Sequence, residues 1–319
     1  MVQLLFFQNR YVVPLFILVL AGACASPQSV VTGDATEDAD PQHAIATQVP
    51  DTEIFLFNLD VSIPELVTGV VGNITNRDGY DNQPRFIRGS NDVLFAGIVD
   101  GRQSDVYIYR DSTGQIEQRT FTSVSEYSPT PLTGDRFAAV VVEEDGTQRL
   151  WRYAQDGAPL SPVRADVTGV GYFAFLDAAR VGLFIVAEPV RLDIAERNDN
   201  EVSTVAYNIG RSLHMMPGGA ALSFVQQHDD QPGVLSSWQL STGEIMALVP
   251  MPDGVEDMVW LNDGRALAID GGLLVVWRPG QDGWNTVYNL KNYLPGVSTR
   301  LAVNERQTLL AIVNEVQRQ

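Results

Sequence analysis

Lysine, cysteine and histidine are scarce in this sequence of 319 residues. Lys291 is the single lysine, Cys24 is the single cysteine, and histidine occurs three times. A single cysteine excludes an intramolecular disulfide. Cys-x-x-Cys, His-Glu-x-x-His, the phosphate-binding Gly-x-x-x-x-Gly-Lys-Ser/Thr loop and the Gly-x-Ser-x-Gly nucleophile elbow are all absent, so the familiar zinc, nucleotide and serine-hydrolase motifs are excluded.

Positive charge is also scarce, because 21 basic residues stand against 39 acidic ones and give a net charge of -18. Such a chain repels nucleic acid and anionic membrane surfaces. A cationic or basic partner is electrostatically favoured, although acidity also serves solubility. With 45% hydrophobic residues the chain can still bury a core.

The apolar run near the N-terminus, YVVPLFILVL at 11–20, is shorter than a membrane-spanning helix requires. It follows Arg10 and precedes small residues, which is the pattern of a signal peptide over residues 1–25. AGAC at 21–24 resembles the bacterial lipoprotein processing box, so we expect Cys24 to be lipidated on the periplasmic face of a membrane. The Ala-x-Ala spacing around Cys24 equally suits ordinary cleavage, which would leave a soluble periplasmic or secreted protein.

Residues 26–52 are rich in Ala, Ser, Thr, Asp and Pro and show neither a helical nor a strand period. This composition predicts a flexible acidic tether. From 53 to 316 no convincing amphipathic helix occurs, and short β-rich runs alternate with Gly, Asp, Asn and Pro clusters. That pattern is typical of an all-β domain.

The β-rich region repeats with a period of about 43 residues. STGQI at 112–116 and STGEI at 241–245 each follow an aromatic-containing strand, which predicts two hairpin turns with glycine at positive φ. Six inner-strand positions recur at steps of 45, 44, 41, 44 and 42 residues, and we call them the repeat anchors: Phe86, Pro131, Phe175, Met216, Trp260 and Ala302.

Four short strands in each repeat of this length predict a β-propeller blade. Five repeats are complete between about 80 and 292. The sixth is split, because the C-terminus supplies two strands and the N-terminus supplies the third and fourth. We therefore predict a six-bladed propeller closed by a split blade, which removes exposed sheet edges, and we expect a monomer.

The stretch from 73 to 157 resembles the WD-repeat-like propeller repeat of TolB-type proteins. That repeat combines Asp-x-x-Pro-x-aromatic, a turn, an apolar strand, Asp-Gly and an aromatic strand. The matching positions are Asp81, Pro84, Phe86, Asp100, Gly101, Tyr107 and Gly114. The resemblance implies a propeller alone, because the stretch between Cys24 and Glu53 is too short for the α/β domain that precedes the TolB propeller, and TolB's specific partnerships do not carry over.

Acidic and tyrosine side chains dominate the loops predicted on one face of the propeller. The acids there could be turn formers, could attract a cationic or peptide ligand, or could bind calcium, as in NDNE at 198–201. A pair of them could also serve a carboxylate-dependent hydrolase of glycans or small esters at the channel mouth. The predicted ligand-binding residues are Tyr80, Asp81, Arg85, Glu126, Tyr127, His228 and Asp229.

Taken together, the sequence predicts a non-enzymatic envelope scaffold that binds a protein or peptide on its acidic loop face, with no cofactor and no nucleic acid. The hydrolase is the alternative. Five tryptophans are present, and we expect most of them to be core residues, because Trp151, Trp238 and Trp277 fall on predicted third strands.

Overall fold

The computed structural model describes residues 50–316 apart from positions 100, 102 and 135. Within these ranges the regular secondary structure consists of 24 β-strands. No described segment is a helix long and apolar enough to cross a membrane. The predicted signal peptide, Cys24 and most of the tether lie outside the described residues, so those expectations stay predictions.

The strands run through the chain as follows. They are β1 (Thr52–Leu59), β2 (Val67–Asn73), β3 (Tyr80–Phe86), β4 (Val93–Ile98), β5 (Asp105–Arg110), β6 (Gln115–Gln118), β7 (Ser125–Pro131), β8 (Phe137–Val142), β9 (Gln148–Tyr153), β10 (Pro159–Pro162), β11 (Val170–Phe175), β12 (Arg180–Ile185), β13 (Arg191–Glu196), β14 (Val202–Tyr207), β15 (His214–Met215), β16 (Ala221–His228), β17 (Gln231–Gln239), β18 (Ile245–Pro250), β19 (Met258–Trp260), β20 (Ala266–Asp270), β21 (Leu273–Trp277), β22 (Asn285–Asn289), β23 (Ser298–Val303) and β24 (Leu309–Glu315).

Consecutive strands pair antiparallel in groups of four. Four of these groups are separate sheets: β7–β10, β11–β14, β15–β18 and β19–β22. The remaining eight strands form one sheet, in which β3–β6 make one antiparallel group and β23, β24, β1 and β2 make another. A single parallel pair, Thr52 with Tyr80, joins these two groups. The prediction of an all-β, propeller-like arrangement of four-stranded sheets is confirmed.

The N-terminal and C-terminal strands are directly hydrogen-bonded. Strand β1 runs antiparallel to β24 from Thr52 opposite Glu315 to Asn58 opposite Leu309. Because β23 pairs with β24 and β2 pairs with β1, strands from the two ends of the chain share one antiparallel group. This pairing ties the chain ends together and leaves neither β1 nor β24 as a free edge.

Glycine shapes the hairpins that the repeated Ser-Thr-Gly tripeptides predict. Gly114 lies between β5 and β6 at φ 69°, and Gly243 lies between β17 and β18 at φ 73°. Each amide donates to a carbonyl four residues earlier, at 2.8 Å in both cases. A left-handed residue is required there, and glycine adopts it without a Cβ clash.

Apolar side chains fill the spaces between neighbouring four-stranded groups. One cluster joins Leu94 and Val106 to Phe137 and Tyr153, whose rings stack with centroids 4.9 Å apart. Another joins Phe57 and Leu310 to residues of β20 and β21. The second strands β4, β8 and β12 are therefore buried on both faces, which explains their continuous apolar runs.

The tryptophans expected in the core are placed there. Trp238 and Trp277 are buried on β17 and β21, and Trp151 packs on β9 against a buried cluster. Trp260 packs edge-on against Trp277 at 6.2 Å between ring centroids. Its indole Nε1 donates to Ser223 Oγ at 2.8 Å, which pairs the one polar atom of the ring.

Candidate functional site

The first strand of each four-stranded group borders one cavity of about 60 Å³. We call it the central cavity. Its lining comes from β3, β7, β11, β15, β19 and β23 or from residues directly before them: Gln83, Pro84, Arg85, Ser128, Thr130, Tyr172, Phe173, Arg211, Ser212, Leu213, His214, Asp257, Met258, Arg300 and Leu301. It has room for roughly four water molecules, taking about 15 Å³ for each.

Each lining residue lies within the five positions that precede a repeat anchor. Gln83 and Ser128 are three positions before Phe86 and Pro131, and both adopt a left-handed backbone, at φ 58° and 53°. Each coincides with a shift in the strand register and precedes a proline. Gln83 Oε1 accepts the amide of Ser128 at 2.6 Å, so the two irregularities are bonded to each other beside the cavity.

Three arginine side chains line the central cavity and make its electrostatic potential positive. Arg85 is partly buried, and no described carboxylate forms an ion pair with it. Burial lowers the pKa of Arg85, and repulsion from Arg300 lowers it further. Arg300 Nη2 donates to the Tyr172 hydroxyl at 2.9 Å, and its guanidinium carbon lies 5.2 Å from the centre of that ring.

Arg211 is the arginine of the cavity that has carboxylate partners. Its Nη2 donates to Asp257 Oδ2 at 2.5 Å, and its Nη1 lies 3.5 Å from Glu256. Burial by itself lowers the pKa of Arg211, but the charge and hydrogen bond of Asp257 together with Tyr172 and Glu256 outweigh burial, and the net shift is upward. Burial raises the pKa of Asp257 while Arg211 and Arg300 lower it, and the net shift is downward.

His214 lies on β15 in the same cavity. Burial lowers the pKa of its imidazole to about 3, and the positive charge of Arg85 acts in the same direction. His214 is therefore neutral at pH 7, where it offers one nitrogen as donor and one as acceptor. Burial is the main cause of this lowered pKa, and the charge of Arg85 adds to it.

Three tyrosines surround the arginines: Tyr80, Tyr127 and Tyr172. Burial raises the pKa of Tyr80, with Arg300 opposing that rise and Tyr172 and Tyr127 adding to it. Burial also raises the pKa of Tyr127. The phenols of Tyr80 and Tyr127 are thus neutral hydroxyls at pH 7.

Two of the three predicted ligand-binding carboxylates, Asp81 and Glu126, do not line the central cavity and are bonded inside the protein. Asp81 is 1% exposed, and Arg77 donates to its two oxygens at 2.9 and 2.6 Å. Glu126 is fully buried and accepts hydrogen bonds from the hydroxyls of Thr120, Thr122 and Tyr153. Both carboxylates therefore stabilise the packing of β3 and β7 and do not line the central cavity.

Two further predicted residues, His228 and Asp229, are exposed at the turn between β16 and β17 and do not line the central cavity. Of the seven residues predicted, Arg85 lines the cavity and Tyr80 and Tyr127 lie beside it. Asp100 lies outside the described residues.

No group of three or more His, Cys, Asp or Glu side chains able to hold a metal ion occurs in the described part of the chain. In the segment singled out for calcium, Asp199 Oδ1 accepts the amide of Glu201 at 2.8 Å, which is a local turn. Asp257 is the single carboxylate among the cavity-lining residues, so these residues do not provide the two facing carboxylates that a glycosidase uses.

Sequence reasoning did not include Arg211, Arg300, Tyr172, Asp257 or His214 in the predicted site. A signal for them was present, since each lies two to five positions before a repeat anchor. Polar residues at those positions, compared across all six repeats, mark the side chains that line the cavity. The predictions instead followed the loops, where acidic residues are dense.

The chain is similar to known proteins in its fold and not in its sequence. No family model matches the chain, and no curated protein sequence matches it. The chain is similar to a putative TolB from Agrobacterium tumefaciens, with a TM-score of 0.63, 10% identity, and coverage of 84% of this chain and 99% of that one. It is similar to a gluconolactonase from Xanthomonas campestris, with a TM-score of 0.59, 10% identity, and coverage of 84% and 97%. It is also similar to an oligogalacturonate lyase from Vibrio parahaemolyticus, with a TM-score of 0.52, 11% identity, and coverage of 76% of this chain and 79% of that one.

These similarities correct one prediction. We predicted from the missing catalytic motifs that the chain is not an enzyme, and that prediction was wrong, because a gluconolactonase and an oligogalacturonate lyase share the fold. At 10 and 11% identity the likeness establishes the propeller fold alone.

Proposed function

We propose that this protein is a ligand-binding β-propeller whose site is the central cavity. The observation that carries the proposal is the convergence of polar side chains from all six first strands on one small cavity. Concave sites with a few converging polar groups are where proteins bind small ligands. The cavity holds part of a ligand, since typical ligand pockets measure roughly 300 to 1,000 Å³, and the remainder would lie toward Tyr80 and Tyr127.

Native mass spectrometry of the protein purified from the cells that produce it tests this function. We expect a bound small molecule whose mass disappears in Thr130→Phe, because Thr130 lines the cavity and a phenyl ring would fill it. The matched control is Thr113→Phe, the same change at an exposed hairpin turn. Thermal unfolding shows whether each variant is folded. An adduct of equal abundance in both variants, or none in the wild type, would contradict the proposed site.

We also propose that the eight-stranded sheet is two blades, which makes six in all. Support comes from its two antiparallel groups, which meet at the single pair Thr52 and Tyr80. Further support comes from six apolar clusters, each between neighbouring four-stranded groups, of which one joins β19–β22 to the group containing β1 and another joins that group to β3–β6. Deleting residues 309–319, and with them β24, should prevent folding if this group closes the ring.

An envelope location with lipidation at Cys24 is proposed from the signal-peptide pattern and is supported by the TolB-like fold. Mass spectrometry of the mature N-terminal peptide tests it. We expect a lipid-modified Cys24, and an unmodified chain that starts at Cys24 or Ser26 would contradict the anchor.

A protein or peptide partner on the loop face is a second candidate function. It is favoured by Phe121, which is 76% exposed in the segment between β6 and β7. Gln103 Nε2 donates to Thr122 O at 3.0 Å and holds that segment against the loop carrying Val99, which is 50% exposed. Exposed apolar side chains on an acidic face suit a partner with basic and apolar side chains.

The partner is tested by crosslinking in intact cells. We expect one specific crosslinked protein that is lost in Phe121→Ser and retained in Leu160→Ser, a control at an exposed position on the outer strand β10. An identical pattern of crosslinks in both variants would refute this surface.

A further inference from the structure

The central cavity has the opposite charge to the protein that contains it. The chain carries a net charge of -18, yet the cavity is lined by Arg85, Arg211 and Arg300 against the single carboxylate of Asp257. With His214 neutral, the lining therefore sums to about +2 at pH 7. A cationic ligand attracted to the acidic exterior would be repelled inside this cavity.

Two of the three arginines form no ion pair with a carboxylate in the described ranges, and the single charge of Asp257 acts on both of them as well as on Arg211. Arg211 is paired with Asp257 and Glu256. Arg300 is bonded to a tyrosine hydroxyl, and Arg85 makes no ion pair with a described carboxylate. Positive charge taken from water into a protein interior is unfavourable unless it is paired. The arrangement of Arg85 and Arg300 therefore favours an anion between them.

The remaining groups indicate which anion fits. The Ser128 hydroxyl lines the cavity and has no hydrogen-bond partner among the described residues. Guanidinium groups bind carboxylate and phosphate in bidentate geometry. A cavity of about 60 Å³ takes a group the size of a carboxylate with one or two carbons. The nearby negative charge of Asp257 disfavours the higher charge of phosphate.

We propose that the central cavity binds the carboxylate of a small molecule between Arg85 and Arg300. The site rests on the proposed function, and the inference adds the chemical class of its ligand. Ser128 and the tyrosine hydroxyls donate hydrogen bonds to the carboxylate or to polar atoms next to it. Asp257 holds Arg211 and limits the total charge that the cavity accepts.

Isothermal titration calorimetry at pH 7 and low ionic strength tests the proposal with acetate, succinate, inorganic phosphate and choline as probes. We expect acetate or succinate to bind the wild type, with affinity reduced about ten- to a hundredfold in Arg85→Gln, since a hydrogen bond to a charged group is lost. Arg88→Gln is the matched control, because it removes the same charge from a side chain that is 82% exposed.

A gain-of-affinity variant separates this effect from misfolding. Asp257→Asn removes the one negative charge of the cavity lining and releases Arg211 from its closest partner. We expect carboxylate affinity to rise severalfold in this variant, which a damaged fold would not produce. Unchanged or weaker binding in folded Asp257→Asn would contradict the electrostatic argument.

The probes distinguish failure of the inference from failure of the proposed function. Preference for phosphate overturns the carboxylate assignment. Binding of choline that is lost in Thr130→Phe overturns the anionic class and leaves the cavity as the site. If no probe binds in a way that depends on Thr130, the carboxylate inference fails. The proposed function fails as well if the native mass spectrum of the wild type shows no bound small molecule.

Discussion

Glu126 makes the stability of this fold depend on pH. Its carboxyl is fully buried on β7 and is surrounded by the hydroxyls of Thr120, Thr122 and Tyr153, and no cation among the described residues forms an ion pair with it. Burial raises the pKa of Glu126 from 4.5 to about 7, while the hydrogen bonds from Thr122 and Thr120 partly oppose the rise. The neutral acid is therefore the form that the folded state favours.

The sign of the pH dependence follows from that shift. Below pH 4.5 the carboxyl is protonated in both states and has no ionisation cost. Between pH 4.5 and about 7 the unfolded chain releases the proton and the folded protein keeps it, so the free energy of unfolding falls as pH rises. At about 1.4 kcal/mol for each pKa unit, the total loss is on the order of 3 kcal/mol. Above pH 7 the contribution is constant.

Urea denaturation of the wild type and of Glu126→Gln between pH 5 and 8 measures this effect. The range avoids precipitation near the pI of 4.4. The difference in unfolding free energy, wild type minus variant, isolates Glu126, because the other titrating groups are common to both proteins and cancel. We expect this difference to fall by roughly 2 to 3 kcal/mol across the range. Glu144→Gln, an exposed acid on the next loop, is the control and should give a flat difference. A flat difference for Glu126→Gln would refute the reasoning.

Three further predictions concern packing and charge. Gly97→Ala should destabilise the fold by about 1 to 3 kcal/mol, because a Cβ there would lie 2.8 Å from the Asp81 carboxylate. The control Gly283→Ala has open space around its Cβ, so its unfolding free energy should stay within about 0.5 kcal/mol of the wild type in the same urea assay. Trp260→Phe should cost about 1 to 3 kcal/mol through loss of the buried bond to Ser223, and an unchanged denaturation midpoint would contradict that bond. Carboxylate binding to the cavity should weaken as salt rises from 0.01 to 0.1 M, since the Debye length falls from about 30 to about 10 Å, and titrations that do not depend on salt would contradict an electrostatic site.

Strand order and hairpin turns were predictable because their causes are local. Alternating and continuous apolar runs determine which segments become strands, and glycine in Ser-Thr-Gly determines where Gly114 and Gly243 turn the chain. The pairing of strands from the two chain ends also followed from the sequence, since half a repeat remained at each end. These features need only the order of residues within one repeat.

The site was predicted in part. Arg85, Tyr80 and Tyr127 were singled out and lie in or beside the cavity. Asp81 and Glu126 were also expected at a ligand, but each carboxylate is bonded to neighbours, Arg77 in one case and three hydroxyls in the other. Two acids at equivalent positions of successive repeats therefore have different local environments, and only side-chain packing distinguishes them.

The sequence by itself determined the all-β class, the repeat and the acidic exterior, because each follows from composition or short-range pattern. Tertiary structure decided the charge of the central cavity. Arg85 and Arg300 lie on the first strands of two four-stranded groups, Arg211 lies just before the first strand of a third, and all three line the same cavity. Net charge sums over the whole surface, whereas the potential inside a cavity depends on the few groups within several ångströms of it. A chain with a net charge of -18 can therefore enclose a positive site.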